Sequence, residues 1–144
     1  MLTSVLSLLS PAGVRARLSI LILHRVLPAP DALDPYAADA RFFDTLCGWV
    51  RQAFRVLPLD EAVRRLRSGT LPARAAAITF DDGYADNHDV ALPILHRHRL
   101  SATFFVATGY LNGGRMFNDS VTETLRRAAG PVIDLRHTLL GNLG

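Results

Sequence analysis

The stretch ITFDDGYADN, residues 78–87, places two adjacent carboxylates, Asp81 and Asp82, between an apolar run and a glycine. Neighbouring carboxylates repel each other, and a divalent metal is the usual positive partner that relieves this repulsion. One acid can then bind the metal while the other moves a proton. Because Gly83 permits a sharp turn, the stretch predicts a loop that presents acidic groups at the end of a strand. The alternative is that both acids only cap the next helix and interact with its dipole.

The segments around this acidic loop alternate between strand and helix patterns. Apolar runs predict strands, buried on both faces, at 18–26 (LSILILHRV), 75–80 (AAAITF) and 101–110 (SATFFVATGY), with a short strand in 54–59 (FRVLPL). Helical patterns cover 41–54, 60–69, 88–98 and 118–128. This alternation predicts an α/β fold with about four parallel strands and outer helices. Ligands of such sheets bind at the carboxyl ends of the strands, where His24 and the two acids would emerge together.

Two helices allow finer predictions. The core-facing side of helix 41–54 is predicted to carry four residues at helical spacing: Phe42, Leu46, Trp49 and Val50. Cys47 lies among them and is expected to be a buried structural thiol. In the helix after the acidic loop, Asn87 is expected to cap the N-terminus and Pro93 to kink the axis. His88, His96 and His98 are expected at the surface.

Composition limits the class of protein. The chain has 144 residues, 49% of them apolar, which is enough for the core of one domain. Its net charge of +3 comes from scattered arginines without interleaved aromatics, which argues against a nucleic-acid-binding surface. A single cysteine excludes an internal disulfide and a thiolate zinc cluster.

The N-terminus shows no export or anchoring pattern. Its first apolar run is short, and Arg15 and Arg17 follow it instead of preceding it, the reverse of a signal peptide. The run LSILIL is far below the ~20 residues that span a bilayer, so no stable transmembrane segment is expected and a cytoplasmic location is slightly favoured. We expect an N-terminal segment at 1–17, one domain at 18–128 and an unpatterned tail at 129–144.

Four stretches carry a family resemblance: TFDDGY (79–84), LPILHRHRL (92–100), ATFFV (102–106) and ILILHRVLP (20–28). The first three resemble the opening motif, the following helix and the next strand of the polysaccharide deacetylases, the NodB-like carbohydrate esterase group. The fourth resembles the strand end of a permuted branch, in which the motif that supplies the catalytic acid has moved to the N-terminus. The resemblance implies that this chain forms part of a NodB-like (β/α) barrel.

The resemblance also implies a reaction and roles for residues. The reaction is the metal-dependent hydrolysis of N-acetyl groups from amino sugars of a polysaccharide or oligosaccharide. Asp81 would be the general base, His24 the general acid, and Asp82 a ligand of a divalent metal, usually zinc. Tyr84 would contact the substrate. Ile22 stands where the permuted branch usually has leucine.

One implied motif does not match. The family completes its metal site with a His-Ser/Thr-x-x-His motif after the ATFF strand, and the nearest string here, HTLLG at 137–141, has Gly141 in place of the second histidine. Asp82 would then be a single metal ligand, whereas a catalytic zinc ion binds at least three ligands from the protein. Three interpretations stay open: the N-terminal part of a longer deacetylase that is inactive alone, an assembled enzyme in which a partner chain completes the barrel, and a non-enzymatic module that binds glycan or protein. A dehalogenase-type phosphohydrolase fits poorly, because its two acids are two residues apart.

Overall fold

The computed structural model describes residues 2–128 and 130. The chain divides into two compact units, Met1–Ala107 and Thr108–Gly144. The first contains helices α1 (Leu2–Leu9), α2 (Ala40–Ala53), α3 (Leu59–Arg67) and α4 (Leu92–His98), and strands β1 (Leu18–Leu23), β2 (Val26–Leu27), β3 (Ala38–Asp39), β4 (Arg55–Val56), β5 (Ala75–Phe80) and β6 (Thr103–Phe104). The second contains α5 (Phe117–Arg126). The domain bounds expected from the sequence stay a prediction, and the tail from 131 lies outside the described residues.

The main sheet has four strands and is built around β5. Strand β1 pairs with β5 in parallel over its whole length, from Leu18 opposite Ala75 to Leu23 opposite Phe80. Strands β4 and β6 also run parallel to β5, and they pair with its first two and its last two residues. The two short strands therefore share the edge of β5 that β1 leaves free. The predicted α/β architecture with about four parallel strands and flanking helices is confirmed.

Strand β5 is the centre of the core, and all six of its residues are buried. Ile78 and Phe80 belong to the larger cluster, which they form with residues of α2 and α4. Ala75 belongs to a smaller cluster with Ala62 of α3 and Leu71. Since successive residues of a strand point to opposite faces, helices pack against both faces of β5, and its buried carboxyl end leads directly into the acidic loop.

Strand β1 is present as predicted, but it is not buried on both faces. Ile20 and Ile22 are 47% and 63% exposed, whereas Leu21 and Leu23 between them pack against the larger core cluster. The physical reason is its position: within the described residues β1 pairs only with β5, and one of its faces has no helix over it.

The predicted strand at 101–110 is also much shorter than expected. Only Thr103–Phe104 pairs with β5. Phe105 and Val106 follow with about half of their surface exposed (50% and 48%). An apolar run becomes a long strand only where a neighbour offers hydrogen bonds, and within the described residues β6 pairs with the last two residues of β5 alone.

Helix α2 forms where the sequence predicts it, and Val50 of the predicted face is buried, but the buried face is rotated away from two other predicted residues. Phe43, Cys47 and Val50 are buried, while Phe42 and Trp49 are 53% and 60% exposed. The expectation for Cys47 is confirmed. Burial, with a smaller contribution from the negative charge of Asp44, raises the pKa of the Cys47 thiol to about 11.

Among the helices of the described residues, none combines the length and the apolar character needed to cross a membrane.

Candidate active site

The register of β1 and β5 brings His24 and Asp81 together. Leu23 and Phe80 are partners in the parallel ladder, so the next residue of each strand leaves the sheet at the same edge. The Asp81 N–H donates to the carbonyl oxygen of Leu23 at 2.9 Å and extends the ladder by one step. His24 Nε2 then lies 4.0 Å from Asp81 Oδ2, with the two side chains 59% and 38% exposed. The predicted meeting of these two residues at the strand ends is confirmed, and their catalytic roles stay a prediction.

Asp82 and Gly83 form the sharp turn of the loop. Both have positive φ angles, 73° and 72°, which is rare for a residue other than glycine. The Asp82 carbonyl oxygen accepts the N–H of Ala107 at 3.2 Å, so the chain that follows β6 supports the turn. A Cβ atom on Gly83 would lie 2.9 Å from Val106 Cγ1 and 3.2 Å from Val106 Cα. The turn therefore requires glycine both for its backbone angle and for its close approach to Val106.

A cluster of three side chains connects the end of β1 to the acidic loop. Arg25 Nε donates to Asp86 Oδ2 at 2.8 Å, and the N–H of Val26 donates to Asp86 Oδ1 at 3.2 Å. The Arg25 guanidinium also lies over the ring of Tyr84, 4.4 Å from its centroid, which is cation–π geometry. Tyr84, predicted to contact substrate, is thus placed beside Arg25 at the same edge of the sheet. Its role toward a substrate stays a prediction.

The sequence suggested that Asn87 caps the following helix, and this prediction is wrong. The helical conformation begins at residue 85, and Asn87 opens a π-helical turn, Asn87–Ala91, that leads into α4. Pro93, in the first turn of α4, has no N–H to donate, and a wider turn before a proline is one way to accommodate that loss. Asn87 is 4% exposed, and within the described residues neither its Nδ2 nor its Oδ1 has a hydrogen-bond partner.

Sequence reasoning missed Asp86 and Arg25 as parts of this site, and it assigned Asn87 the wrong place. The signal for Asp86 was available, because an acid five residues after the first of a pair can face the same strand edge once a helix begins. Its partner could not be read from the sequence, since Arg25 lies 61 residues away.

The histidines of the helix after the loop lie away from the site. His88 is exposed and pairs with Asp89. His98 was expected at the surface, but its side chain is only 18% exposed, and its Nε2 lies 2.7 Å from Asp44 Oδ1. Because Asp44 is on α2, His98 connects two helices of the core. His137, in the string that nearly matches the family's metal motif, lies outside the described residues.

Chemically, the site combines a carboxylate and an imidazole that can exchange protons with a molecule placed between them. Such a pair can serve as general base and general acid. The 4.0 Å separation of His24 Nε2 and Asp81 Oδ2 is too long for a direct hydrogen bond, and both groups face solvent. A water or a substrate group can therefore reach both of them.

A metal centre is not complete in the described residues. Among residues 2–128 and 130, no group of three or more His, Cys, Asp or Glu side chains is arranged to hold a metal ion. Carboxylate and imidazole are ligands that zinc accepts, but zinc takes three or four protein ligands. The described residues therefore do not fit a zinc centre by themselves.

Comparison with known proteins shows a similarity over part of the chain. The family described as polysaccharide deacetylase matches residues 68–130, which include the acidic loop and β6. This part of the chain is similar to the polysaccharide deacetylases. The chain is 30% identical over 93 residues to YxkH of Bacillus subtilis (strain 168), named as a candidate polysaccharide deacetylase, and the match covers 63% of this chain and 32% of that protein.

Two solved structures have a similar fold. IcaB from Ammonifex degensii superimposes with a TM-score of 0.57 at 28% identity, over 74% of this chain and 43% of that one. The deacetylase PplD of Streptococcus pyogenes, solved in complex with acetate, has a TM-score of 0.57 at 24% identity, over 74% of this chain and 52% of that one, and shows likeness of fold. The chain thus spans about a third of the Bacillus relative and about half or less of these two structures.

Proposed function

We propose that this chain supplies the acidic-loop half of a polysaccharide deacetylase, a hydrolase that removes N-acetyl groups from amino sugars. One observation carries the proposal: His24 and Asp81 meet, at 4.0 Å, where two adjacent parallel strands end. The family match includes Asp81, and the register of β1 and β5 adds His24 to it. A base and an acid side by side are what hydrolysis of an amide needs.

In the proposed reaction, Asp81 takes a proton from water and the resulting hydroxide attacks the carbonyl carbon of the N-acetyl group. The bond between that carbon and nitrogen then breaks, and His24 gives its proton to the departing amine. The products are acetate and a free amino sugar. Tyr84, held beside Arg25, is proposed to contact the sugar. The exposure of both catalytic groups supports this assignment, because a polymer must reach them from solvent.

Asp82 is the proposed ligand of a divalent metal, zinc in the first place. The further ligands would have to come from outside the described residues, because these do not complete a metal site. We therefore infer that the purified chain has little or no deacetylase activity by itself. A partner chain that adds ligands and strands is one source of completion, and the exposed Ile20 and Ile22 of β1 are where a further element would find apolar surface. A cytoplasmic location remains a proposal.

A second candidate function is favoured by the same incomplete metal site. A module that lacks the full ligand set can still bind glycan through Tyr84 and the loop without catalysing hydrolysis. The two functions differ in what they require of Asp82. A deacetylase site needs its carboxylate, whereas a binding surface built on an aromatic ring does not.

Binding of an N-acetylated chitooligosaccharide to the ¹⁵N-labelled chain, with zinc present, tests the proposal. We expect amide shifts at residues 24–25 and 81–84, no comparable shifts with the fully deacetylated oligomer, and loss of the response in Asp82→Ala. The matched control is Asp89→Ala, which removes an exposed acid of the helical segment after the loop that pairs with exposed His88.

Binding that survives in Asp82→Ala would favour the non-enzymatic module. Acetate release from the same oligosaccharide is measured in parallel, and we expect none above the rate without protein. Efficient release that disappears in Asp81→Asn would confirm the deacetylase and overturn its inferred inactivity as a single chain.

A further inference from the structure

Asp86 binds the two residues that follow His24 in the chain. One oxygen of its carboxylate accepts the Arg25 Nε–H at 2.8 Å, and the other accepts the backbone N–H of Val26 at 3.2 Å. The Asp86 side chain is 10% exposed, against 36% for Arg25. A carboxylate this well buried is costly unless it is paired, and here each oxygen has a donor.

Together with a hydrogen bond at Leu23, these contacts flank His24 on both sides along the chain, and we call this arrangement the bracket. On the N-terminal side, the Leu23 carbonyl oxygen accepts the N–H of Asp81. On the C-terminal side, the Val26 N–H donates to Asp86. His24 thus stands between two hydrogen bonds that both lead to the segment carrying the acidic loop, and its backbone is fixed relative to Asp81 from both ends.

The bracket matters because the side chain of His24 is weakly held by packing. Its side chain is 59% exposed, so packing does not fix it, and within the described residues β1 pairs along one edge only. A charge-assisted hydrogen bond between a guanidinium and a carboxylate is among the stronger ones in proteins. In catalysis, a displacement of about 1 Å can cost a factor of about 100 in rate. A hydrogen bond that fixes the backbone at this position would therefore affect the reaction rate through the placement of His24.

The guanidinium adds a third connection. It lies over the Tyr84 ring at 4.4 Å while its Nε–H binds Asp86. Arg25 is thereby held by Tyr84 at the end of the loop and by Asp86 at the start of the following helix, which ties residue 25 to the segment 84–86.

We propose that Asp86 is a positioning residue that fixes His24 opposite Asp81 through its bonds to Arg25 and Val26. The proposal rests on the proposed function in that it gives His24 the role of acid. The geometry of the bracket, by contrast, can be tested without any catalysis.

The experiment compares the ¹⁵N,¹³C-labelled full chain with Asp86→Ala and Asp86→Asn by NMR. In the wild type we expect rigid amides at residues 24–26, with order parameters near ~0.85, and nuclear Overhauser contacts between the His24 ring and the Asp81 side chain. In Asp86→Ala, the order parameters of residues 24–26 should fall below ~0.6, which is the flexible range, and the ring contacts should disappear. Asp86→Asn keeps an acceptor for the Val26 N–H but loses the charge that faces Arg25, so it should give an intermediate loss.

The matched control is Asp89→Ala, an acid in the adjoining π-helical turn that pairs with exposed His88, and it should leave His24 unchanged. The amides of β5 report whether each variant is folded. A folded Asp86→Ala with unchanged order at 24–26 and unchanged ring contacts would overturn the proposal. Should that variant fail to fold, Asp86→Asn decides in its place, and wild-type behaviour of His24 in Asp86→Asn would overturn the proposal equally.

The result is separable from the proposed function. Loss of His24 order in Asp86→Ala supports the positioning role even where Asp82→Ala retains glycan binding, a combination that would reject the deacetylase and keep the bracket. Retained order with a glycan response that depends on Asp82 would reject the bracket and keep the deacetylase.

Discussion

Asp82 and Gly83 show how a functional loop constrains single residues. Two consecutive left-handed residues, with φ of 73° and 72°, turn the chain away from β5 within two peptide units. Aspartate adopts the left-handed conformation more easily than most residues, because its short polar side chain can form hydrogen bonds with the nearby backbone. Glycine enters it without cost. Strain of this kind concentrates at active sites, where the surrounding structure holds it in place.

At Gly83, substitution by alanine should destabilise the fold. The new Cβ would meet the backbone Cα of Val106 at 3.2 Å and its Cγ1 at 2.9 Å, and the left-handed angle adds its own cost, so we expect a loss of about 1–3 kcal/mol in the free energy of unfolding. Urea denaturation measures it. Gly109→Ala is the matched control, since nothing lies within 4 Å of a Cβ there. Equal losses in the two variants would show that the turn tolerates a side chain.

His24 and Asp81 were predictable from the sequence, whereas the state of Asn87 was not. Parallel strands that pair over their full length end at one edge, so a residue directly after each strand must lie near the other. The position of Asn87 depends instead on a π-helical turn. Such a turn rotates the helix face, and the 3.6-residue period used to predict helices does not account for that rotation. The same limit applies to Asp86, whose partners Arg25 and Val26 are distant in sequence.

At the scale of elements, helix α2 shows that spacing alone leaves a choice of face. The predicted set with Phe42 and Trp49 and the buried set with Phe43 and Cys47 both recur at intervals that fit a helix. Only the contact with β5 and α4 selects between them, and it packs Phe43 against Phe80 in a T-shaped arrangement, with ring centroids 5.8 Å apart. The bounds of α2 were predictable, since Asp39 caps it by accepting the Phe42 N–H at 2.7 Å.

Helices α2 and α4 are tied by a pH-dependent contact. Asp44 accepts a hydrogen bond from His98 Nε2 at 2.7 Å, and Arg97 Nη2 lies 3.1 Å from the same oxygen. The bond from His98, with a smaller contribution from the charge of Arg97, lowers the pKa of Asp44 below its ordinary value of 3.8. A carboxylate whose pKa is lower in the folded state stabilises the fold above its unfolded pKa, and this stabilisation is lost as the pH falls through the folded value.

Replacement of Asp44 by asparagine should therefore lower the stability of the chain at about pH 5, and this difference should shrink as the pH falls below 3.8 and through the lower pKa of folded Asp44. Denaturant midpoints across this range measure the effect. His98→Phe should reproduce much of the loss at about pH 5, and the double variant should lose less than the sum, because the two residues share one contact. A difference between wild type and Asp44→Asn that does not shrink at all as the pH falls below 3.8 would contradict this account.

At the scale of the whole molecule, the sheet of the first unit is covered unevenly. Within the described residues β1 pairs with β5 alone, and Ile20 and Ile22 expose 47% and 63% of their surface on one face. Unpaired edges and apolar patches favour pairing with other chains. The sequence predicted the strand itself but not how many of its faces are buried. A continuous apolar run looks the same in the sequence whether neighbouring elements bury one face of the strand or both.

The exposed face of β1 should therefore contribute to association and not to the stability of this chain. Replacement of both Ile20 and Ile22 by threonine, which keeps a β-branched residue suited to a strand, should change the free energy of unfolding by no more than ~0.5 kcal/mol per site. It should also reduce self-association at rising concentration in sedimentation experiments. Leu21→Thr is the matched control on the same strand, because Leu21 packs against the core cluster and should cost about 1–3 kcal/mol. A loss of unfolding free energy in the double variant as large as that of the control would show that this face is buried within the chain itself. The face would then not be free to bind the further element proposed above.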